Sequence, residues 1–190
     1  MTIQQALTLI SPATSFLATQ RNPQVTPSSD QPLRWADLGC GSGLFTTALS
    51  QLLLTGSTIY GVDMHPTLRR QTISPTDDAD NPTSIIPIEA DFVKDPLDLP
   101  PLDGILMANS LHYVKDKTAF IQKVKSYMRP DSPFIIVEYD TDTPVPTWVP
   151  YPVGYDSLTR LFKDHTIQKL GERPSTYGRA NMYAALVRPS

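Results

Sequence analysis

Apolar residues along the chain form short runs that are separated by polar and proline-rich stretches. Where β-branched and other large apolar residues are continuous, buried strands are predicted, over 33–37, 58–62, 85–88, 104–108 and 134–139. Where apolar residues recur every three or four positions, helices are predicted, over 43–54, near 66–71 and over 115–128. Because strands that alternate with helices pair in parallel, the pattern predicts an α/β fold with a mostly parallel sheet.

The two ends of the chain depart from this alternation. Residues 3–20 carry apolar positions at helical spacing on both sides of Pro12, which predicts two short helices. A segment rich in proline and aromatic residues at 141–155 precedes a helix predicted over 157–163. Two strands then close the sheet as an antiparallel hairpin, over 166–170 and 182–187. The polar and proline-rich segments are predicted to be irregular, at 21–32, 72–83 and 94–101.

Length, charge and composition narrow the range of functions. A chain of 190 residues predicts one domain, with an N-terminal helical cap and loop at 1–32 and the core at 33–190. A net charge of -3 without a basic run disfavours nucleic acid as a partner. The sequence has a single cysteine and no charged leader, which predicts a cytoplasmic protein. It also has no apolar stretch near the ~20 residues that a bilayer crossing requires, so no membrane partner is expected. The oligomeric state stays open.

The most informative segment is Trp35 to Gly43, WADLGCGSG, in which three glycines stand between a strand and a helix. Glycine tolerates positive φ and lets backbone amides approach a ligand, and the first turn of the helix would attract an anionic group. A dinucleotide fingerprint would need glycine at Leu44, and no lysine of a Walker loop follows. Asp37 would repel a pyrophosphate but attract an ammonium group. The expected ligand therefore carries both charges, as an amino-acid head does.

Asp37 followed by the GxGxG of Gly39, Gly41 and Gly43 resembles the first motif of the class I S-adenosylmethionine-dependent methyltransferases. The resemblance covers about residues 33–140. It implies a doubly wound, seven-stranded sheet of order 3-2-1-4-5-7-6, with helices on both faces and an antiparallel last strand. It also implies S-adenosylmethionine as cofactor, bound across the carboxyl ends of strands one, two and four, and S-adenosylhomocysteine as product.

The resemblance further implies which residues bind the cofactor. Asp63, at the end of the second predicted strand, would bind the ribose hydroxyls with Met64 beside it. Asp91 would bind the adenine amino group, flanked by Phe92, and the segment from Asn109 and Ser110 would lie beneath the methionine part. The alternative is an ordinary glycine turn with exposed acids, but three placements in the right order favour a cofactor site. The cofactor-binding residues are thus predicted to be Asp37, Gly39, Cys40, Gly41, Gly43, Asp63, Met64, Asp91, Phe92, Asn109 and Ser110.

His112 is the candidate catalytic base, since it follows the fourth strand on the cofactor side of the sheet. Alternatively it packs on the cofactor or caps the turn, and an acceptor that is already nucleophilic would need no base. Glu138, Tyr139 and Asp140 end the fifth strand at the same edge, where one of them would orient the acceptor or assist His112. No metal site is predicted.

Aromatic residues held by prolines suggest where a methyl acceptor binds. The predicted acceptor-binding residues are Tyr139, Trp148, Tyr151 and Tyr155. An equal alternative is a surface loop whose aromatic side chains only attach it to the core. The fourth strand lacks the Asn/Asp-Pro-Pro-aromatic motif of nucleic-acid amino methylases, and the only cysteine lies in the glycine loop. A small-molecule acceptor is therefore expected. The alternatives are a methyltransferase for protein or RNA, and a non-catalytic partner subunit that binds S-adenosylmethionine.

Overall fold

In a computed structural model of the chain, which describes residues 1–19, 32–54, 56–64, 83–175 and 180–190, seven strands form one sheet. The strands are β1 (Arg34–Leu38), β2 (Thr58–Asp63), β3 (Ser84–Glu89), β4 (Gly104–Ala108), β5 (Phe134–Tyr139), β6 (His165–Pro174) and β7 (Asn181–Pro189). Their order is β3-β2-β1-β4-β5-β7-β6, in which β7 is antiparallel to both β5 and β6 and the other pairs are parallel. The predicted α/β class and sheet order are confirmed.

Five helices pack around this sheet within the described ranges: α1 (Ile3–Ile10), α2 (Thr14–Thr19), α3 (Leu44–Ser50), α4 (Lys117–Lys125) and α5 (Tyr155–Leu161). Pro12 lies in a 3₁₀ turn between α1 and α2, so the predicted pair of short helices is confirmed. The helix predicted near 66–71 lies outside the described residues, as does the loop predicted at 72–83 except for Thr83. None of the described helices has the length and apolar composition that a bilayer crossing requires.

Several predicted boundaries of helices and strands were wrong by a few residues. Capping interactions and strand pairing, which apolar periodicity does not report, decide where these elements begin and end. The helix predicted from residue 115 starts at Lys117, since the Asp116 carboxylate accepts the Ala119 amide at 2.9 Å. Gly154 caps α5, which begins two residues earlier than predicted, and α3 ends at Ser50 rather than at 54. The hairpin strands are longer than predicted because β6 and β7 pair along their full length.

Each central strand is buried on both faces and alternates its side chains between two cores. In β5, Phe134 and Ile136 join the core beneath α4 and α5, whereas Ile135 and Val137 join the core beneath α1 and α3. β4 and β7 alternate in the same way. Helices on both faces explain why these strands read as continuous apolar runs in the sequence.

The parallel pairing brings the ends of the central strands to one edge of the sheet. Leu38 at the end of β1 lies opposite Val62 of β2, and Ala108 at the end of β4 lies opposite Val137 of β5. Residues that follow these strands are therefore neighbours in space although they are far apart in sequence. This edge is where a doubly wound sheet binds its ligands.

Candidate active site

The chain turns sharply after β1 through three glycines with left-handed backbone. Gly39, Gly41 and Gly43 have φ of 80°, 52° and 78°, a region that residues with a Cβ rarely adopt. The amides of Gly39 and Cys40 donate to the Val62 carbonyl oxygen at 2.8 and 3.2 Å. This glycine loop is thereby fixed to the neighbouring strand.

Gly39 also lies against the segment that follows β4. A Cβ at this position would lie 2.4 Å from Cβ of Ser110 and 3.2 Å from Cε1 of Phe92. Ser110 donates its hydroxyl to the Leu38 carbonyl oxygen at 2.6 Å, and Phe92 packs edge-on against Phe120 with ring centroids 5.8 Å apart. Ser110 and Phe92, both predicted to bind the cofactor, thus support the glycine loop from the protein interior.

A cavity of about 570 Å³, here called the cofactor cavity, opens beside the glycine loop. Six of the predicted cofactor-binding residues line it together, namely Asp37, Gly39, Cys40, Gly41, Asp63 and Asn109. The other lining residues are Met1, Ser42, Leu44, Phe45, Ala108 and Tyr113. Its volume is within the range of small-molecule sites.

Asp37 is the buried carboxylate of the cofactor cavity, with 1% of its surface exposed. Its Oδ2 accepts the Thr46 hydroxyl at 2.6 Å, whereas Oδ1 is buried with no hydrogen-bond partner among the described residues. Burial raises the pKa of Asp37 to about 7 against the opposing effect of the Thr46 bond, and the nearby Asp63 carboxylate raises it further. A bound cation would satisfy Oδ1 and favour the ionised form.

Asp63 reaches the glycine loop from the end of β2. Its Oδ2 accepts the Gly41 amide at 2.8 Å, and its carboxylate lines the cofactor cavity. The next residue, Met64, is 63% exposed and lies outside the cavity lining. Asp63 therefore both fixes the loop and presents a carboxylate to any molecule bound there.

Asp91 caps the turn that follows β3. Its Oδ1 accepts the amides of Val93 and Lys94 at 3.0 and 3.2 Å, and its Oδ2 pairs with the Lys94 ammonium at 2.9 Å. Although partial burial opposes ionisation, the bonds from Lys94 and Val93 hold the pKa of Asp91 below its ordinary value. Asp91 is not among the described residues that line the cofactor cavity.

Cys40 lines the cofactor cavity with a thiol that remains protonated. Burial, together with the carboxylates of Asp37 and Asp63, raises the pKa of Cys40 well above its ordinary value. Its Sγ packs 3.2 Å from the place that a Cβ on Gly61 would occupy. The residue therefore fills a tight space and is not suited to act as a nucleophile.

Asn109 stands between the cofactor cavity and a second cavity, and lines both. It has a left-handed backbone with φ of 54°, and its amide donates to the Val137 carbonyl oxygen at 2.8 Å. Its side-chain Oδ1 is buried without a hydrogen-bond partner in the described part of the chain. Tyr113 is the other residue that lines both cavities. A ligand donor at this junction would satisfy Asn109.

His112 lies in a 3₁₀ turn directly after β4 and is buried. Its Nδ1 lies 2.7 Å from Oε2 of Glu138, and its backbone amide donates to Oε1 of the same carboxylate at 3.1 Å. A carboxylate at Nδ1 favours the tautomer that carries its proton on that nitrogen. Glu138 and the turn thus fix the orientation of the imidazole.

The second cavity, here called the acceptor cavity, has a volume of about 450 Å³. Tyr139 and Trp148, both predicted to bind the acceptor, line it with His112. Trp148 is 68% exposed and follows Thr147, whose φ of 75° is strained for a residue with a Cβ. The other lining residues are Asn109, Tyr113, Thr141, Val145, Val149, Ser175 and Ala180.

The remaining two predicted aromatic residues lie outside the described lining of the acceptor cavity. The Tyr151 amide donates to the His112 carbonyl oxygen at 3.0 Å, and its own carbonyl oxygen accepts Lys117 Nζ at 2.6 Å. Tyr155 packs edge-on against Tyr183, with ring centroids 5.5 Å apart. Both residues anchor the segment at 141–155.

Three side chains that support the site had no sequence signal of their own. Thr46 was one of several hydroxyls in a helical pattern, and Lys117 one of several lysines in another. Tyr113 had no signal beyond its place in the segment after the fourth strand, and its position at the junction depends on how that segment turns. Glu138, by contrast, was one of three predicted partners of His112, and the structure selects it.

Comparison with known proteins adds a family and a set of structural relatives. The family described as "Methyltransferase domain" matches residues 5–174 of the chain. No curated protein matches the sequence.

Solved methyltransferases share the fold. The N-methyltransferase NodS from Bradyrhizobium japonicum, in complex with S-adenosylhomocysteine, matches with a TM-score of 0.67 and 14% identity over 98% of this chain and 86% of that chain. Magnesium protoporphyrin IX methyltransferase from Synechocystis, with bound S-adenosylmethionine, matches with a TM-score of 0.64 and 15% identity over 99% and 79%. The 1,6-didemethyltoxoflavin-N1-methyltransferase of Burkholderia thailandensis matches with a TM-score of 0.64 and 16% identity over 97% of this chain and 78% of that chain.

Proposed function

The chain belongs to the family of methyltransferase domains, and from this premise we propose that it transfers the methyl group of S-adenosylmethionine to a small molecule. The observation that carries the proposal is the adjacency of the cofactor and acceptor cavities. Asn109 and Tyr113 line both, so molecules bound in the two cavities would meet at these residues. Two of the solved relatives are named for a porphyrin and for a toxoflavin precursor, which are small molecules.

The cofactor cavity fits a nucleoside that carries an amino-acid head. The ammonium group would bind Oδ1 of Asp37, which lacks a partner among the described residues, and the ribose hydroxyls would bind Asp63. The amides of Gly39, Cys40 and Gly41 bond within the protein, so they are not the groups that would receive the carboxylate. When bound, S-adenosylmethionine supplies a methyl group on a positively charged sulfur, open to in-line displacement.

His112 would act as the general base in the acceptor cavity. Glu138 holds Nδ1 at 2.7 Å, so Nε2 is the nitrogen that accepts a proton from the acceptor. Glu138 would stabilise the positive charge that His112 then carries, which makes it a positioning residue. Asn109 would orient the reacting groups at the junction.

Calorimetric titration with S-adenosylhomocysteine tests the cofactor assignment, with NAD as the matched control nucleotide. We expect S-adenosylhomocysteine to bind and NAD not to bind. Asp63→Ala should weaken binding at least about tenfold, since a charge-assisted hydrogen bond contributes about 1.5 to 3 kcal/mol. Binding of NAD in preference, or normal affinity in the Asp63 variant, would contradict the assignment.

The role of the base is tested by His112→Gln, which keeps a donor for Glu138 but cannot take up a proton. We expect turnover to fall about 10²- to 10⁴-fold, with S-adenosylhomocysteine affinity unchanged. Normal turnover in this variant would show that His112 is not the base. His112→Ala is less informative, because it leaves the buried Glu138 carboxylate without its partner.

A further inference from the structure

The lining of the acceptor cavity defines which molecules it can accept. A cavity of about 150 Å³ holds one benzene ring in an apolar core. The acceptor cavity, at about 450 Å³, therefore has room for two or three fused rings. Tyr113, Tyr139 and Trp148 offer flat aromatic faces to such a molecule.

Apart from the His112 imidazole, the described side chains that line the acceptor cavity are not ones that ionise near neutral pH. Three charged residues close to this lining are bonded within the protein. Lys117 donates to the carbonyl oxygens of Val114 and Tyr151, at 2.9 and 2.6 Å. Glu138 is hydrogen-bonded to His112, and Asp142 accepts the Gly154 amide at 2.8 Å. Among the described residues, a carboxylate or an ammonium group on the acceptor would thus find no oppositely charged partner to offset the cost of its burial.

The base in this cavity matches one class of acceptor atom. An uncharged amine attacks with its own electron pair and needs no proton removed beforehand, whereas a hydroxyl oxygen does. A phenol, with an ordinary pKa of about 10, is acidic enough for an imidazole to deprotonate during attack. An aliphatic hydroxyl resembles water, whose pKa is about 15.7, so its proton is much harder to remove than that of a phenol.

From these observations we propose that the acceptor is an uncharged, planar aromatic molecule of two or three rings that is methylated on a phenolic hydroxyl. This inference rests on the proposed function and specifies its acceptor. Nε2 of His112 takes the phenolic proton while the oxygen forms its bond to the methyl carbon. The bond from that carbon to sulfur breaks, the electron pair stays on sulfur, and the proton leaves His112 for solvent.

Four compounds of matched size test the class: naphthol, naphthoate, (aminomethyl)naphthalene and the saturated alcohol decahydronaphthol. Binding to the complex with S-adenosylhomocysteine is measured by calorimetry and by Trp148 fluorescence, and methyl transfer by mass spectrometry. We expect naphthol to bind at least about tenfold more tightly than either charged compound. We also expect methylation of naphthol on oxygen, and none of decahydronaphthol.

Trp148→Ala should weaken naphthol binding at least about fivefold and leave S-adenosylhomocysteine affinity unchanged. Ile86→Ala, which truncates an exposed apolar residue on β3 at the far edge of the sheet, is the matched control and should change neither affinity. A third variant, Val145→Lys, adds a cation to the lining and should improve naphthoate binding at least about tenfold.

The possible outcomes separate the two proposals. If S-adenosylhomocysteine fails to bind, the proposed function itself is wrong. If it binds but naphthoate or the amine is preferred, or naphthol does not bind, only the acceptor class is overturned. Unchanged naphthol affinity in the Trp148 variant would also overturn the assignment of this cavity.

Discussion

At the scale of single residues, the site depends on ionisable side chains that are buried and hydrogen-bonded to a defined partner. His112 and Glu138 are both almost fully buried and joined through two hydrogen bonds. Such a pair is stable only while both members are present, since a lone buried charge is strongly unfavourable. Conservative substitutions are therefore the informative ones.

Glu138→Gln separates positioning from structure. The carbonyl oxygen of the introduced side-chain amide would still accept the His112 backbone amide, but its NH₂ group would face Nδ1 and move the ring proton to Nε2. We expect kcat to fall about 10²- to 10⁴-fold with little change in KM, as for a triad whose carboxylate becomes an amide. A purely structural role would instead lower the free energy of unfolding and leave kcat per folded molecule unchanged.

At the scale of elements, the glycine loop is held between two strands that it does not belong to. It bonds to Val62 in β2 and packs on Ser110 after β4. Its shape therefore depends on β2, β1 and β4 being adjacent, which the parallel pairing provides.

Two glycines of this loop give a matched comparison. Gly39→Ala combines positive φ with a contact of 2.4 Å to Ser110, whereas a Cβ at Gly41 meets nothing within 4 Å. We expect Gly39→Ala to lower the free energy of unfolding by about 2 to 5 kcal/mol, and Gly41→Ala by about 1 to 2 kcal/mol from the backbone alone. Denaturant unfolding without ligand measures both. Equal losses would show that the packing on Ser110 contributes nothing.

The segment at 141–155 is a second element held from outside itself. Lys117 in α4 donates to Tyr151, so Lys117→Met should loosen the wall that carries Trp148. We expect acceptor affinity to fall about three- to tenfold, because charge-assisted bonds to carbonyl oxygens are lost. S-adenosylhomocysteine affinity should not change, and Lys115→Met, at an exposed neighbouring position, is the control. A parallel loss of affinity for both ligands would argue against this role.

At the scale of the whole molecule, the buried carboxylate at the end of the first strand links stability to pH. The pKa of Asp37 is raised from 3.8 to about 7 in the folded chain, chiefly by burial. A carboxyl group with a raised pKa stabilises the fold while it is protonated, so its contribution is present at low pH and is lost as pH rises through about 7.

We therefore expect the melting temperature of the ligand-free protein to fall between pH 5 and pH 7 more steeply than that of Asp37→Asn. S-adenosylhomocysteine should reverse the trend, because its ammonium group favours ionised Asp37 and its affinity should rise over the same range. Thermal melts with and without ligand measure both effects. Identical pH dependence in the wild type and the Asp37 variant would contradict this account.

Local patterns in the chain were enough to predict the succession of the described strands and most helices, and the glycine loop with its flanking acid. These features are local: apolar periodicity reports which face of each element is buried, and the glycines at 39, 41 and 43 mark a turn that needs positive φ. Residues at strand ends, such as Asp63 and Asn109, were also predictable as cavity residues, because parallel strands all end at one edge.

Which of these side chains come into contact depends on how the elements pack against one another. Glu138 pairs with His112 because β4 and β5 are neighbours with Ala108 opposite Val137, and no local pattern records that register. The same holds for Ser110, whose hydroxyl turns to Leu38, and for Trp148, which lines the acceptor cavity while Tyr151 anchors its loop. Periodicity fixes the face that a residue occupies, whereas its partner is fixed by packing between elements that are distant in the chain.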